Sequence, residues 1–265
     1  MGVNQIRAKS ILQKSGLPAA AYVINPYTGC THGCVYCYAR FMKRFTSHSE
    51  AWGTFLDAKI NAAEVLRGQL ARRREPLKET VFFSSVTDPY QPAEKQHRLT
   101  RSLLEALLEH QVPISILTKS DLVLRDIDLL EQFESCKVGL SLMTLDEEMA
   151  HKMEPRAASP ARRLRTLASL REHGIRTQAF ISPYLPGISA LDQLVEALSG
   201  SIDEIGVEAI NTRGGNWRGV ARVLEEDYPE CGRLSRDKLY WDALEVRLDQ
   251  LAEQHRIDNF GFYRH

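Results

Sequence analysis

Cys30, Cys34 and Cys37 are spaced C-x3-C-x2-C within residues 25–40, NPYTGCTHGCVYCYAR. Thiolates are soft ligands that suit zinc and iron–sulfur clusters. A structural zinc site normally has four ligands, often two C-x2-C pairs, whereas this segment supplies three. His32 makes a fourth only if the loop doubles back between the first two cysteines. Three thiolates on a four-iron cluster leave one iron without a protein ligand, open to a substrate or cofactor. Gly29 and Gly33 let the backbone wrap closely round a bulky group, and Pro26 stiffens the approach to it. Two other readings of the triplet stand beside the cluster: a structural zinc, and three buried cysteines in a strand-to-helix connection.

The 265 residues carry five cysteines, an odd number with three of them bunched. A disulfide framework is not spread in that way, and a reducing cytosol keeps thiols free. Hydrophobic residues make up 43%, enough for one large domain or two small ones. Lys plus Arg equals Asp plus Glu at 34 each. That balance argues against a protein that coats nucleic acid non-specifically, because such binding rests on neutralising phosphates; it leaves a local basic groove open. The first sixteen residues lack the apolar stretch of a signal peptide. No apolar run reaches the length of a membrane span, so the expected location is the cytoplasm.

Apolar, β-rich runs alternate with helical patterns and position this chemistry. Residues 81–85, 113–118, 137–142, 176–181 and 204–209 read as strands. Helical spacing of apolar residues marks 98–110, 124–133, 162–173 and 190–198, and the tail from 218 to 256 is mostly helical. With an early strand near 22–25 or 56–60, about six strands alternate with helices, which implies βαβ units and a parallel sheet. The expected fold class is α/β, a partial (β/α)6 TIM-like barrel or an open doubly wound sheet. The expected division is an N-terminal extension over 1–20, the barrel over 21–215 and a mostly helical C-terminal extension over 216–265. In a β/α barrel the chemistry sits at the C-terminal strand ends. Polar residues gather there: Ser84 to Asp88, Thr118 and Lys119, Ser141 and Thr144, Ser182 and Tyr184.

C-x3-C-x2-C with an aromatic before the last cysteine resembles the signature of radical S-adenosylmethionine (SAM) enzymes. Together with residues 87–101, TDPYQPAEKQHRLTR, the chain is similar from about 22 to 187 to the spore photoproduct lyase-like, or DNA repair photolyase-like, group. The resemblance implies a partial (β/α)6 barrel and a 4Fe-4S cluster held by Cys30, Cys34 and Cys37. Its open iron would chelate the amino and carboxylate groups of SAM. One electron, from an external donor such as flavodoxin or ferredoxin, would then release a 5′-deoxyadenosyl radical that abstracts hydrogen from the substrate.

By the same resemblance, Tyr36 packs near the adenine, and Thr87, Lys119 and Ser141 match positions that hold SAM. Hydroxyls can bond its ribose or amino group, and a strand-end ammonium can pair with its carboxylate. Tyr38 matches a tyrosine tied to hydrogen-atom transfer; it also reads as simple packing. Asp88 reads as a turn cap in Asp-Pro-Tyr, and Glu154 with Arg156 as a salt bridge or a substrate contact. One departure stands out. Spore photoproduct lyase has a hydrogen-donating cysteine at the end of the second strand, where this chain has Ser85. An O–H bond is too strong to give hydrogen readily to a carbon radical. Cys231 replaces that donor if the tail folds over the barrel mouth; Cys136 reads as structural.

Nucleic acid is the substrate that the resemblance suggests. Arg72–Arg74 and Arg162, Arg163 and Arg165 are candidate phosphate contacts, or merely solubilising charges on helix faces. The terminal NFGFYRH is an aromatic-basic stretch of the kind that stacks bases. The competing expectations are modification of a small molecule or peptide, and a non-catalytic zinc- or cluster-binding module that recognises nucleic acid.

Overall fold

Short apolar runs set the strands, and the computed structural model describes them for residues 2–17, 20–213, 217–224 and 228–265. The chain divides into two units. The first is Met1–Gly33, Ala39–Val138 and His173–Ile175, and the second is Cys34–Tyr38, Gly139–Glu172 and Arg176–His265.

The first unit contains β1 (Asn4–Ile6), β2 (Leu12–Lys14), β3 (Tyr22–Ile24), β4 (Tyr27–Thr28), β5 (Asp57–Lys59), α1 (Ala62–Ala71), β6 (Val81–Phe83), α2 (Glu94–His97), α3 (Leu99–Leu108), β7 (Ile114–Thr118) and α4 (Ile127–Leu130). β3, β6 and β7 run parallel, and β2 lies antiparallel on the free side of β3. A separate small sheet pairs β5 with β1 in parallel and with β4 antiparallel. Both candidate early strands therefore exist, in different sheets. β6 and β7 are joined through α3, which buries Leu99, Leu103, Leu104 and Leu107. Each such leucine contributes about 1.5–3 kcal/mol by leaving water. The helix expected over 124–133 is split into a 3-10 helix, Asp121–Asp126, and α4. Ser120 caps the 3-10 turn by accepting from Leu122 N.

β8 (Cys136–Ser141) begins in the first unit and ends in the second. The second unit continues with α5 (Glu147–Met153), α6 (Pro160–Glu172), β9 (Arg176–Tyr184), α7 (Leu191–Leu198), β10 (Glu204–Ala209), α8 (Trp217–Leu224), α9 (Pro229–Leu234), α10 (Lys238–His255) and β11 (Asp258–Tyr263). β9, β10 and β11 are parallel neighbours. Past the end of β8, Leu142 N donates to Phe180 O of β9 at 2.9 Å. The buried faces of α6 and α7, including Leu167, Leu170, Leu194 and Leu198, cover this half.

The described tail carries α8, α9 and α10 but ends in β11, a strand alongside β10. The stretch NFGFYRH is therefore not a free base-stacking surface. Phe260 and Tyr263 pack on Phe180, Phe262 packs on Trp241, and Arg264 pairs with Asp242 and Glu245. The boundary expected between residues 215 and 216 lies outside the described residues. Among the described residues, no helix is long and apolar enough to cross a membrane.

Candidate functional site

The cysteine loop leaves β4 and turns at two left-handed glycines, Gly29 (φ 90°) and Gly33 (φ 68°). A Cβ at Gly29 would lie 2.7 Å from Phe55 O, so the close approach also requires glycine there. A Cβ at Gly53 (φ 90°) would lie 2.8 Å from Gly33 Cα, so the segment leading into β5 braces the loop from outside. Cys30 is buried in the first unit; Cys34, buried, and Cys37, half-buried, belong to the second. Cys37 N donates to Cys34 O at 3.2 Å, and Val35 N to Met153 O at 2.9 Å. All three thiols are free of disulfides.

Among the described residues, no three His, Cys, Asp or Glu side chains are gathered as they would be round one ion. A structural zinc normally takes four protein ligands, whereas three thiolates leave one iron of a 4Fe-4S cluster open. A donor set of three thiols outside any disulfide, on a glycine-bent loop, fits the cluster.

In the first unit the TDPYQ segment grips this loop. The Thr87 hydroxyl donates to Gly29 O. Gln91 Oε1 accepts from Thr31 N at 2.9 Å and Thr31 Oγ1 at 3.2 Å, while Gln91 Nε2 donates to Thr87 Oγ1 at 3.0 Å. Asp88 does cap its own turn, accepting from Tyr90 N at 2.9 Å, but it does more. Oδ1 also accepts from Thr118 Oγ1 at 2.7 Å, and Oδ2 accepts from Lys119 N at 2.9 Å. His32 Nε2 stands 3.4 Å from Oδ2, an electrostatic contact longer than a good hydrogen bond. Burial alone would raise the Asp88 carboxyl. The electrostatic attraction of His32 and then the hydrogen bonds from Thr118 and Lys119 N outweigh burial and hold it down at about 2. Ser85 is half-buried, its Oγ accepting from Asn25 Nδ2 at 3.4 Å.

In the second unit the Tyr36 phenol donates to Glu154 Oε1. Arg163 donates to Glu154 Oε2, to Ser141 O at 2.7 Å and to Ala158 O at 2.8 Å. Arg163 is 1% exposed, so it is no phosphate contact; it forms a buried ion pair with Glu154. Burial, and then the Glu154 carboxylate, push the Tyr36 phenol well above its ordinary value. Ser141 Oγ donates to Ser182 O at 3.2 Å; Ser182 in turn donates to Glu208, whose Oε1 is 3.0 Å from His265 Nε2. Tyr38 is exposed.

Cys231 is 1% exposed and belongs to an apolar cluster with Met143, Met149, Met153 and Leu185, against which Val35 and Tyr36 pack. Burial pushes its thiol up despite the neighbouring Ser235. Burial pushes the Cys136 thiol up to about 12.

The structure thus ties Thr87 and the Lys119 strand end to the Cys30 side of the loop, and Ser141 to Tyr36 on the Cys37 side. Sequence reasoning missed Gln91, Gly53, Arg163 and Glu208. For Arg163 a signal was present: it lies three, four and seven residues before Thr166, Leu167 and Leu170, on the helix face that is buried.

The sequence model of the radical SAM superfamily matches residues 24–198. An uncharacterized protein of Methanocaldococcus jannaschii is 34% identical over 236 residues, 89% of this chain and 87% of the relative. A radical SAM Nalpha-GlyT isomerase of Pseudomonas phage M6 is 28% identical over 251 residues, 92% of this chain but 51% of that protein, so the chain spans about half its length. Among solved structures, a spore photoproduct lyase variant with bound AdoMet and dinucleoside spore photoproduct superposes with TM-score 0.68 at 18% identity, covering 98% of this chain and 80% of that one. That likeness speaks for the fold, a partial TIM-like α/β barrel. The chain belongs to the radical SAM superfamily, enzymes whose cofactors are a 4Fe-4S cluster and S-adenosylmethionine.

Proposed function

We propose that this enzyme holds its cluster on Cys30, Cys34 and Cys37 and acts by hydrogen abstraction on a nucleic-acid substrate. When bound and reduced by an external one-electron donor such as a flavodoxin or ferredoxin, the cluster and SAM supply a 5′-deoxyadenosyl radical. The observation that carries the reading is the trio of cysteines, none in a disulfide, on a glycine-bent loop whose first cysteine is bracketed by the Thr87 and Gln91 hydrogen bonds. Support for the substrate class comes from the dinucleoside photoproduct bound by the structural neighbour.

In this reading the Lys119 ammonium pairs with the SAM carboxylate and the Ser141 hydroxyl bonds a polar group of the same cofactor. Thr87 gives its hydroxyl proton to Gly29 O and accepts from Gln91, so it meets SAM through its remaining lone pair. The Tyr36 ring, its phenol anchored on Glu154, flanks the adenine. Tyr38 sits beside Cys37 and takes part in hydrogen-atom transfer. Cys231 stays in the S–H form that hydrogen donation needs, because burial disfavours the thiolate. Ser85 does not serve as that donor.

Anaerobic reconstitution should load about four irons per chain and, with dithionite and SAM, release 5′-deoxyadenosine. A triple Cys30→Ala, Cys34→Ala, Cys37→Ala protein that still cleaves SAM overturns the cluster assignment. Oligonucleotide binding whose affinity falls steeply with salt is the expected mark of a nucleic-acid substrate. Binding without salt dependence, together with deuterium transfer into 5′-deoxyadenosine from a labelled peptide or small molecule, overturns the substrate class.

A further inference from the structure

Asp88 and Gln91 are almost wholly buried, at 7% and 0% exposed, and neither is buried in apolar surroundings alone. A buried carboxylate and a buried amide are retained only where partners satisfy them. Here the partners belong to two functional segments. Gln91 Oε1 accepts from Thr31 N and the neighbouring Thr87 hydroxyl donates to Gly29 O, so the backbone is fixed on both flanks of Cys30. Gln91 Nε2 donates to Thr87 Oγ1 and to Asp88 O, which makes the two grips one unit. A turn cap needs only one oxygen, on Tyr90 N. The second oxygen of Asp88 instead faces His32, between the first two cysteines, and the backbone N–H of Lys119, at the end of β7.

We infer that Asp88 and Gln91 are positioning residues: Gln91 presets the direction of Cys30, and Asp88 fixes the spacing between the cysteine loop and the Lys119 strand end. Groups that orient ligand-bearing residues act on metal affinity and on the cofactor without touching either. These contacts are made by the protein's own groups, so they can shape the loop independently of the cluster. Assembly then costs less ordering entropy than on a free loop. The Lys119 half of this inference rests on Lys119 as the partner of the SAM carboxylate; the Gln91 half does not.

The test uses the full-length chain with Asp88→Asn and Gln91→Leu. Asparagine keeps an oxygen for Tyr90 N and Thr118 but presents an amide to Lys119 N and His32. Leucine keeps the bulk of Gln91 and removes both polar ends. Gln91→Leu should weaken iron retention against a chelator about tenfold and shift the electron paramagnetic resonance spectrum of the reduced cluster. Asp88→Asn should raise the KM for SAM about tenfold while kcat for 5′-deoxyadenosine release changes by less than about twofold, the split expected when binding alone is lost. Lys119→Gln separates the two readings. If it leaves the KM for SAM unchanged, the Lys119 assignment fails, and iron retention by Gln91→Leu still judges the clamp. Wild-type iron retention, spectrum and KM in both folded variants, with only a lowered melting temperature, overturn the inference. Should Asp88→Asn not fold, His32→Phe removes the same contact from the other side, and a wild-type spectrum there overturns it equally.

Discussion

The phenol of Tyr36 donates a hydrogen bond to Glu154, the carboxylate that also receives Arg163. Arg163 goes on to Ser141 O, so one buried ion pair connects the residue before Cys37 with the end of β8. Asp88 does the corresponding work in the first unit, between His32 and the end of β7. In each unit a buried carboxylate joins one side of the cysteine loop to one strand end. The two carboxylates differ in what balances them: Glu154 has a permanent guanidinium, whereas Asp88 has an imidazole and neutral donors.

The Glu154–Arg163 pair predicts a strong, non-additive effect on stability. Removing one member of a buried pair leaves an uncompensated charge and costs about 3–5 kcal/mol. Glu154→Ala and Arg163→Ala should each lose that much in urea unfolding of the apoprotein, and the double variant should lose clearly less than the sum. Strict additivity would show that the two side chains do not stabilise one another. Tyr36→Phe removes one hydrogen bond to Glu154 and should cost less, about 1–3 kcal/mol.

Gly53 predicts a loop defect created from outside the motif. Its φ of 90° and the 2.8 Å approach of a built Cβ to Gly33 Cα leave no room for a side chain. Gly53→Ala must either strain its own backbone, at about 1–3 kcal/mol, or push Gly33 away. The second route displaces the turn between Cys30 and Cys34. Reconstituted Gly53→Ala should therefore hold less iron than wild type, whereas Gly174→Ala, also at positive φ but with nothing within 4 Å, should be destabilised without losing iron. Equal iron content in the two variants would remove Gly53 from the account of the loop.

What the sequence revealed follows the range of the interactions involved. The parallel strands were visible because each is a local apolar run, and Glu204–Ala209 has the expected limits. β11 was not, because its residues, all exposed or only partly buried, carry no alternation and its identity comes from pairing with β10. The cysteines were visible by spacing. Asp88 was visible only as a turn cap, since Tyr90 N is two residues away while Lys119 and His32 are distant in the chain. Arg163 was masked by Arg162 and Arg165: three arginines within one turn look like a solvated face until burial singles one out.

Asp88 also predicts a particular pH dependence. Its carboxyl is held at about 2, below the ordinary 3.8. A depressed carboxyl contributes stability that is complete above the unfolded value and is lost as pH falls through the folded one. The contribution is therefore whole at pH 5 and above, and disappears between about pH 4 and pH 2, amounting to on the order of 2 kcal/mol. Asp88→Asn lacks the titration, so the gap in unfolding free energy between wild type and variant should be constant from pH 7 to pH 5 and narrow below pH 4. A gap that stays constant down to pH 2.5 would mean that Asp88 titrates like an unfolded carboxyl.

The five thiols should separate by reactivity in the apoprotein. Alkylation needs both access and thiolate. Cys37 is half-buried and lies beside the exposed Tyr38, so it is accessible. Cys136 is also only half-buried, yet its thiol is pushed up to about 12, so almost none is thiolate at pH 8. Cys231 is 1% exposed among methionines and leucines, with its thiol pushed up by burial as well. Iodoacetamide at pH 8 should label Cys37 first and leave Cys136 and Cys231 unlabelled until denaturant is added, as peptide mass mapping would show. Loading the cluster should then protect Cys30, Cys34 and Cys37 without changing the other two. Rapid labelling of Cys231 in the folded apoprotein would show that its sulfur meets solvent and is not held in the S–H form by the apolar cluster.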